Sequence, residues 1–340
     1  MRVGITGISS TLGRCLIPKL IEDPNIEQII GLDLKSLNGE NHNKIKFVKG
    51  DVRVLSDLRN AFNNIDILIH LAFIVKKPIP DHEIIYEINV NGTQNVFKIA
   101  AELGIKKVIY SSSVAAYGKN ISNSKFLTEH SPILGHEFTS FYYPYTKALV
   151  ENFIIEFEKK HPEIKITVFR PHIIVGPLFL STTDNFKFSY GQYISNKSVY
   201  WRIGHKNNIS LTQFTDENDI VNAMYYAVSN SFPGVYNIAG EPFDISDILS
   251  DLGKEVKYIP LWLVESLLKF IGIFSKNARN NGKWLHFSKN ALIMDCRKLI
   301  NSKYPNELKS SKLITLSAIS HVKENYLNIK IKGKKNEKSK

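Results

Sequence analysis

The chain contains few cysteines and no long apolar run, and both absences narrow the class of protein. Among its 340 residues only Cys15 and Cys296 are cysteines, too few for a disulfide framework and suited to a reducing compartment. No apolar run reaches the ~18 residues that a membrane-spanning helix requires. Residues 1–6 have the pattern of a β-strand and not that of a signal peptide. We therefore expect a cytoplasmic location.

Metal-binding patterns are absent from the sequence as well. The 10 histidines are scattered without the paired spacing of zinc ligands. The acidic group Asp216, Glu217 and Asp219 is better explained as the start of a helix, where carboxylates cap the first turn and favour its positive end. No metal site is predicted.

Acidic residues are in the minority, since 32 Asp and Glu stand against 44 Lys and Arg, for a formal net charge of +12. Part of this excess lies in residues 330–340, which contain six lysines and one glutamate. We expect residues 326–340 to form a basic, disordered tail, because they offer few apolar side chains that could order them. The remaining charge suits an anionic small molecule such as a dinucleotide or a nucleotide sugar, and nucleic acid is not predicted as a partner.

Short β-branched runs alternate with helical patterns in the first half of the chain, which is typical of a parallel sheet covered by helices. The predicted strands cover residues 3–6, 28–32, 45–48, 67–71, 108–110 and 166–169. The longest predicted helices cover residues 84–103 and 144–160. After Gly176 and Pro177 this alternation ends, and residues 244–330 are mostly helical fragments.

These patterns predict an α/β fold, namely a Rossmann-type, doubly wound parallel sheet with a smaller, mostly helical C-terminal substrate-binding region. Residues 1–177 are assigned to the dinucleotide-binding domain, and elements around residues 213–240 return to it. Residues 178–325 are assigned to the substrate-binding region.

A glycine-containing turn follows the first predicted strand. Gly7 permits a tight turn, and Gly13 allows the following helix to pack closely on the strand. Ser10, Thr11 and Leu12 stand between them, at a helix N-terminus of the kind that binds a dinucleotide pyrophosphate.

Asp33 ends the second predicted strand. A carboxylate at this point accepts hydrogen bonds from the hydroxyls of an adenosine ribose and repels a 2′-phosphate, whereas the nearby Lys35 acts in the opposite direction. We therefore expect NAD as the cofactor in preference to NADP.

Tyr143 and Lys147 are four residues apart in a predicted helical stretch, which places both side chains on one face. A neighbouring ammonium favours the phenolate, so Lys147 is expected to lower the pKa of Tyr143. A tyrosine tuned in this way can act as an acid or base near neutral pH. Tyr142 is less suited to the role because it lies roughly 140° around the helix from Lys147.

Further short motifs follow the later predicted strands, whose carboxyl ends face the ligand crevice in a doubly wound sheet. These are Asp51-Val52, Leu71-Ala72, Asn89 and Ser113. In this order, and together with the glycine turn and the Tyr143–Lys147 pair, they make the chain resemble the extended short-chain dehydrogenase/reductase superfamily, in particular the NAD-dependent epimerase/dehydratase family. The resemblance extends over residues 1–325 and is strongest over residues 1–177.

The resemblance implies roles for individual residues. The catalytic set would be Ser113, Tyr143 and Lys147, with Lys147 also contacting the nicotinamide ribose. The cofactor-binding set would consist of Gly7, Ser10, Thr11, Leu12, Gly13, Asp33, Asp51, Val52, Leu71, Ala72, Asn89 and Lys147. Within it, Asp51 would meet the adenine and Asn89 would lie near the cofactor. The family further implies a homodimer formed through two helices of each subunit.

Three positions depart from the family pattern. Ser10 replaces a glycine, and Phe73 stands where a small residue is common. Ile173 or Ile174 stands where many nucleotide-sugar epimerases carry a substrate-contacting asparagine. The cofactor prediction survives these changes, whereas the last one weakens the prediction of a sugar substrate.

The sequence therefore predicts an NAD-dependent oxidoreductase or epimerase that acts on a secondary alcohol, in first place a nucleoside-diphosphate sugar as in UDP-glucose 4-epimerase. An alternative is a dehydrogenase or reductase of the hydroxysteroid or flavonol type with an apolar substrate and an apolar lid, which Ile173, Ile174 and the segment 261–274 suggest. A non-catalytic NAD-binding sensor is a third alternative, and the intact set of serine, tyrosine and lysine argues against it.

Residues 261–274 are almost entirely apolar and have a helical pattern. We interpret them as a core or lid helix over the substrate. The less favoured alternative is a helix that lies in a membrane surface, which would imply a lipid-linked or sterol-like substrate.

Overall fold

The computed structural model describes residues 1–37, 42–75, 82–119, 126–139, 141–182, 199–204, 211–275 and 292–327. They divide into two compact units. Unit 1 consists of Met1–His172, Asn218–Ile238 and Met294–Glu307. Unit 2 consists of the described residues of Ile173–Glu217, Ala239–Ile293 and Leu308–Lys340. Unit 1 thus includes a late segment that the sequence analysis assigns to the C-terminal region.

Unit 1 is built on a seven-stranded parallel sheet with the strand order β7-β6-β5-β4-β1-β2-β3. The strands are β1 Arg2–Thr6, β2 Gln28–Asp33, β3 Ile45–Lys49, β4 Ile67–His70, β5 Lys107–Ser111, β6 Lys165–Pro171 and β7 Gly234–Ile238. The order of the first six strands is that of a doubly wound dinucleotide-binding sheet. The predicted fold class is confirmed.

The helices of unit 1 connect these strands on both faces of the sheet. They are α1 Thr11–Glu22, α2 Leu55–Phe62, α3 His82–Tyr86, α4 Gly92–Glu102, α5 Tyr142–Lys160, and the later helices Glu217–Ser229 and Arg297–Ile300. The predicted helix over residues 84–103 is interrupted by a π-helical turn, Glu87–Asn91, that joins α3 to α4. It ends before Gly104, whose φ of 69° lets it close the helix, as a glycine at that position commonly does.

The sheet positions the functional motifs because its strands end in register. Thr6 at the end of β1 pairs with Leu32 on one side and with His70 on the other. Ser111 at the end of β5 pairs with Phe169 of β6. The loops that follow β1, β2, β4 and β5 therefore emerge at one edge of the sheet.

Unit 2 contains short strands as well as the predicted helices. The strands pair as Ile174–Val175 with Thr215–Asp216, Leu211–Thr212 with Phe243–Asp244, and Val199–Ile203 with Glu255–Ile259. The helices are Pro177–Thr182, Ile245–Asp251, Leu261–Phe274 and Ser311–Val322. Among the helices of the described residues, none has both the length and the hydropathy of a membrane span. Most of the predicted basic tail, residues 328–340, lies outside the described residues.

Candidate functional site

The turn after β1 depends on both of its glycines. Gly7 has φ 71°, and a Cβ added to it would lie 2.6 Å from the backbone nitrogen of Ala72. A Cβ on Gly13 would lie 2.4 Å from the carbonyl oxygen of Ile8. Neither position admits a side chain, so the backbone of β1 approaches both the end of β4 and the start of α1 as closely as the sequence predicts.

Ser10 caps helix α1. Its backbone is extended, and its Oγ accepts a hydrogen bond from the Gly13 nitrogen at 3.1 Å. Thr11 and Leu12 follow as the first residues of the helix. The Ser10 hydroxyl, at a position where the family has glycine, therefore caps the helix. The N-terminus of α1 lies at the carboxyl end of β1, where its dipole would favour an anion.

Asp33 is held in place by two backbone groups at the end of β2. Its carboxylate accepts hydrogen bonds from the nitrogen of Ser9 at 3.0 Å and from the nitrogen of Lys35 at 3.1 Å. The hydroxyl of Ser9 donates to the carbonyl of Lys35 at 2.8 Å and closes the same loop. The carboxylate is thus fixed beside the glycine turn, where the resemblance places the adenosine ribose.

Asp51 is paired within the protein. The guanidinium of Arg53 donates to both of its carboxylate oxygens, with nitrogen–oxygen distances of 2.5–3.1 Å. This bonding is the main reason that the pKa of Asp51 lies below its usual value. Val52 between them is buried. The sequence analysis did not anticipate Arg53, and the predicted contact of Asp51 with an adenine remains a prediction.

Ser113 and Tyr143 are brought together by the loop after β5 and the start of α5. Ser113 is buried and caps the short 3₁₀ helix Val114–Tyr117, and its side chain is hydrogen-bonded to Tyr143. Burial raises the pKa of Tyr143, and the bond with Ser113 acts in the opposite direction. We expected Lys147 to lower this pKa, but the surroundings of Tyr143 raise it. The protonated phenol is therefore the favoured form.

Lys147 is buried and directed into the protein. Its Nζ donates to the carbonyl of Ser111 at 2.7 Å and to the hydroxyl of Tyr110 at 3.1 Å. The ring of Phe73 covers it, with Nζ 3.6 Å from the ring centroid. Burial lowers the pKa of Lys147 to about 7, and the charge of Glu151 opposes this shift. The group can therefore gain or lose a proton near neutral pH.

A charged network lies behind Lys147. Glu151, one turn further along α5, accepts hydrogen bonds from the guanidinium of Arg170 at 2.5–3.0 Å and from the hydroxyl of Ser112 at 2.5 Å. Both members of the ion pair have 3% exposed side chains. Arg170 also donates to the hydroxyl of Tyr117 at 2.7 Å, which donates to the side chain of Asn237 at 2.7 Å. The pair therefore ties α5, β6, β7 and the loop that carries Ser113 together.

A neutral network joins the ends of β1 and β4 to helix α4. The imidazole of His70 is bonded through Nδ1 to the Thr6 hydroxyl at 2.6 Å and through Nε2 to the Thr93 hydroxyl at 2.8 Å. The Thr93 hydroxyl donates to the carbonyl of Asn89 at 2.6 Å, so it accepts from Nε2, and Nδ1 accepts from Thr6. Burial lowers the pKa of His70 to about 3, which keeps the ring neutral.

Asn89 extends this neutral network to helix α5. Its fully buried side chain accepts a bond from the nitrogen of Ile74 at 2.8 Å and donates to the Ile74 carbonyl at 3.0 Å. It also donates to the hydroxyl of Thr146 at 3.2 Å, which itself donates to the carbonyl of Tyr142 at 2.7 Å. These bonds make Asn89 a positioning residue for the backbone beside Leu71 and Ala72 and for α5.

The sequence analysis therefore missed most of the groups that surround the predicted catalytic residues. Glu151 had a detectable signal, because it follows Tyr143 and Lys147 at intervals of four residues on one helix face. Arg170 and Tyr110 had no such signal, since they reach the site only through pairing of β5 with β6.

The Rossmann-type sheet, the glycine turn after β1 and the meeting of Ser113 and Tyr143 beside a buried Lys147 together define an extended short-chain dehydrogenase/reductase. The model of one family within this class, the 3-beta hydroxysteroid dehydrogenase/isomerase family, matches residues 4–247. The chain belongs to that family.

Similarity to curated proteins is confined to part of each chain. An N-acetyl-alpha-D-glucosaminyl-diphospho-ditrans,octacis-undecaprenol 4-epimerase of Escherichia coli O157:H7 is 30% identical over 174 residues, which is 51% of this chain and 48% of that protein. A 3 beta-hydroxysteroid dehydrogenase/Delta 5-->4-isomerase of Monkeypox virus is 29% identical over 140 residues, 40% of this chain and 38% of that protein. The chain thus spans about half or less of the length of these relatives.

Similarity of fold extends over almost the whole chain. A crystal structure of Thermus thermophilus UDP-glucose 4-epimerase in complex with NAD has a TM-score of 0.67 and 16% sequence identity, and it covers 96% of this chain and 100% of that chain. At this identity the likeness concerns the fold alone.

Proposed function

We propose that the protein is an NAD-dependent epimerase or dehydrogenase that oxidises a secondary alcohol of a sugar carried on a diphosphate. The observation that carries the proposal is the hydrogen bond between Ser113 and Tyr143 at the carboxyl edge of the sheet, next to a buried lysine whose pKa is about 7. This arrangement joins a proton-transferring hydroxyl, a second hydroxyl and a labile ammonium proton.

The residues around the glycine turn fit a dinucleotide. Gly7 and Gly13 let β1, the end of β4 and the start of α1 pack closely, and the N-terminus of α1 at the carboxyl end of β1 would favour a pyrophosphate. The carboxylate of Asp33, held by two backbone nitrogens, suits ribose hydroxyls and disfavours a 2′-phosphate. We therefore propose NAD in preference to NADP.

When bound, NAD would supply hydride acceptance and, in an epimerase, hydride return. Tyr143 would hold the proton that leaves the substrate hydroxyl, and Ser113 would donate a hydrogen bond to the reacting oxygen. Because burial favours the phenol, Tyr143 is suited to give a proton to a carbonyl, and the reverse step needs loss of that proton. Lys147 would assist that loss as an acceptor, because its pKa of about 7 leaves part of the group as a neutral amine near neutral pH.

The diphosphate-sugar class of substrate is supported by one relative. The Escherichia coli protein is named as a 4-epimerase of N-acetylglucosamine linked through a diphosphate to undecaprenol. Such a substrate presents a pyranose hydroxyl beside a diphosphate, which also suits the positive net charge of this chain.

The test is a product analysis with the purified full chain. Acid release should yield NAD from the protein, and UDP-glucose, UDP-N-acetylglucosamine and undecaprenyl-diphosphate N-acetylglucosamine should be screened with NMR detection. Conversion of a 4-hydroxyl without net NADH is expected for an epimerase. Retained NAD without turnover of any of these sugars would contradict the proposal and would revive a sensor role.

A second candidate is oxidation of a 3β-hydroxysteroid or a similar apolar alcohol. It is favoured by the family match and by the apolar pair Ile173 and Ile174, one of which stands where a sugar-binding asparagine would be expected; Ile173 is 44% exposed. Oxidation of such an alcohol would accumulate NADH, whereas epimerisation would not. NADH absorbance in a mixture of the protein, dehydroepiandrosterone and NAD would therefore distinguish the two reactions. The homodimer implied by the resemblance stays a prediction that light scattering of the same sample would test.

A further inference from the structure

The ring of Phe73 lies over the ammonium of Lys147. Nζ is 3.6 Å from the centroid of this ring, and the lysine side chain is buried. The same ring meets the ring of Tyr143 edge to face, with 6.1 Å between the two centroids. One side chain therefore packs against both residues between which the proposed function moves a proton.

Two contacts of the Lys147 ammonium are with uncharged groups. Nζ donates to the carbonyl of Ser111 and to the hydroxyl of Tyr110, the last two residues of β5. An ammonium has three N–H donors, so these two bonds leave one side of the group to be covered by another group. The phenyl ring of Phe73 lies close to Nζ and, as a hydrocarbon, keeps water from it.

The position of Phe73 is fixed by contacts that do not involve the lysine. The side chain of Asn89 accepts a hydrogen bond from the nitrogen of Ile74 at 2.8 Å and donates one to the Ile74 carbonyl at 3.0 Å. The ring of Phe73 packs against the hydrophobic core of unit 1, which includes residues of α2, α4 and α5. The lysine is therefore covered by a side chain that has its own support.

The titratable groups on the elements around Lys147 are Tyr143 and Glu151 on α5, Tyr110 on β5, His70 on β4 and Arg170 on β6. His70 and both tyrosines are neutral near pH 7, because burial lowers the pKa of the histidine and raises the pKa of each tyrosine. Glu151 favours the charged lysine, but its carboxylate is also paired with Arg170. Loss of water is therefore the main reason that the pKa of Lys147 falls to about 7.

A ring that covers an ammonium has two opposite effects on its protonation. The π face attracts the cation, whereas the exclusion of water favours the neutral amine. The attraction is the smaller effect, because dehydration of a buried ammonium costs more than one cation–π contact contributes. The net effect of Phe73 should therefore favour the neutral amine, which is the form proposed to accept a proton.

We propose that Phe73 is a positioning residue, whose ring holds Nζ of Lys147 at the end of β5 and keeps water from it, so that the amine can accept a proton beside Ser113 and Tyr143. This role rests on the proposed function, in which Lys147 is the acceptor. Phe73 acts through Lys147 and does not itself take part in the chemistry.

The test is an NMR titration of the full chain, isotopically labelled at lysine Cε, with the Lys147 signal assigned by its absence from Lys147→Met. The midpoint should lie at about 7 in the unchanged protein. In Phe73→Ala, which admits water, it should rise by ~1 pH unit or more toward ~10.4. Phe73→Leu keeps an apolar cover without a π face, so its midpoint should not rise.

Phe73→Gln is a second test for the case that the alanine variant does not fold. It keeps most of the volume of the side chain and brings an amide oxygen near the ammonium, so the midpoint should rise as well.

A matched control is Phe153→Ala, which removes a partly buried ring from the same core, where it packs on Phe97. It should lower the stability but leave the Lys147 midpoint unchanged. An unchanged midpoint in Phe73→Ala or Phe73→Gln, or an equal rise in Phe153→Ala, would overturn the proposal. Because the titration needs neither cofactor nor substrate, the expected midpoints without turnover of any sugar would contradict the proposed function alone.

Discussion

Helix α5 borders two buried polar networks that are close in space and opposite in chemical character. The neutral network runs from Thr6 through His70 and Thr93 to Asn89 and Thr146, and every link joins uncharged groups. The charged network consists of Lys147 together with Glu151 and Arg170 and their hydroxyl partners, and it begins one residue further along the same helix.

The difference shows how one helix can combine rigidity with proton transfer. Neutral groups satisfy one another in a single arrangement and fix the position of the helix without dependence on pH near neutrality. Charged groups in the interior interact over longer distances and change protonation when their surroundings change. Of the residues proposed for chemistry, Lys147 belongs to the charged network, whereas the backbone predicted to contact the cofactor is held by the neutral network.

The largest expected effect is the loss of activity in Tyr143→Phe. The proposed proton transfer requires the phenol oxygen, so turnover should fall by ~10²–10⁴-fold while released NAD stays near the level of the unchanged protein. The measurement is product formation by NMR on the best substrate of the screen. The control is Tyr142→Phe on the preceding residue, which should retain turnover. Near-normal activity of Tyr143→Phe would exclude Tyr143 from the proposed proton transfer.

The next effect concerns stability of the charged network. Arg170→Met leaves the buried carboxylate of Glu151 without its cation, and it should lower the free energy of unfolding by ~3–5 kcal/mol. The double variant Glu151→Gln/Arg170→Met should be clearly more stable than Arg170→Met, because no buried charge is left unpaired. Urea unfolding measures both. Equal stability of the two variants would mean that the ion pair is not the source of the cost.

The sheet and the glycine turn could be predicted because their signals are local. Each predicted strand of the first half lies within two residues of the observed bounds, since apolar runs and the residues that end them are adjacent in sequence. Gly7 and Gly13 could be predicted for the same reason, because each is required by the backbone of its own turn.

The two networks could not be predicted because their members are distant in sequence. Thr6 and His70 are 64 residues apart, and Glu151 and Arg170 are 19 apart. They meet only after the strands pair, and no short-range pattern records that pairing. The same holds for Phe73, which departs from the family pattern in sequence, but whose ring covers Lys147 only in the folded chain.

A smaller effect, and one that separates the networks, is the pH dependence contributed by Lys147. Its pKa is about 7 in the folded protein and ~10.4 in an unfolded chain, so between these values the unfolded chain binds more protons. The contribution of Lys147 to the free energy of unfolding therefore rises with pH from about 7 to ~9.5. Above that range the tyrosines of the unfolded chain begin to titrate as well.

Lys147→Met should lack this rise. Urea midpoints at several pH values should show the unchanged protein gaining stability relative to the variant as pH increases. Lys159→Met, an exposed lysine paired with Glu156 on the same helix, should follow the unchanged protein. A parallel profile for Lys147→Met would mean that Lys147 is not buried in its neutral form at alkaline pH.

The smallest expected effect is in the neutral network. Thr93→Val keeps the shape of the side chain but removes the hydroxyl that accepts from His70 and donates to Asn89, so a buried donor and a buried acceptor lose their partner. The cost should be ~1–3 kcal/mol in urea unfolding, below that of Arg170→Met because no charge is exposed to an apolar interior. Thr93→Ser retains the hydroxyl and should restore most of the difference. A loss of unfolding free energy in Thr93→Val as large as that in Arg170→Met would contradict this comparison. The difference in charge between the two networks would then not determine the cost of disrupting them.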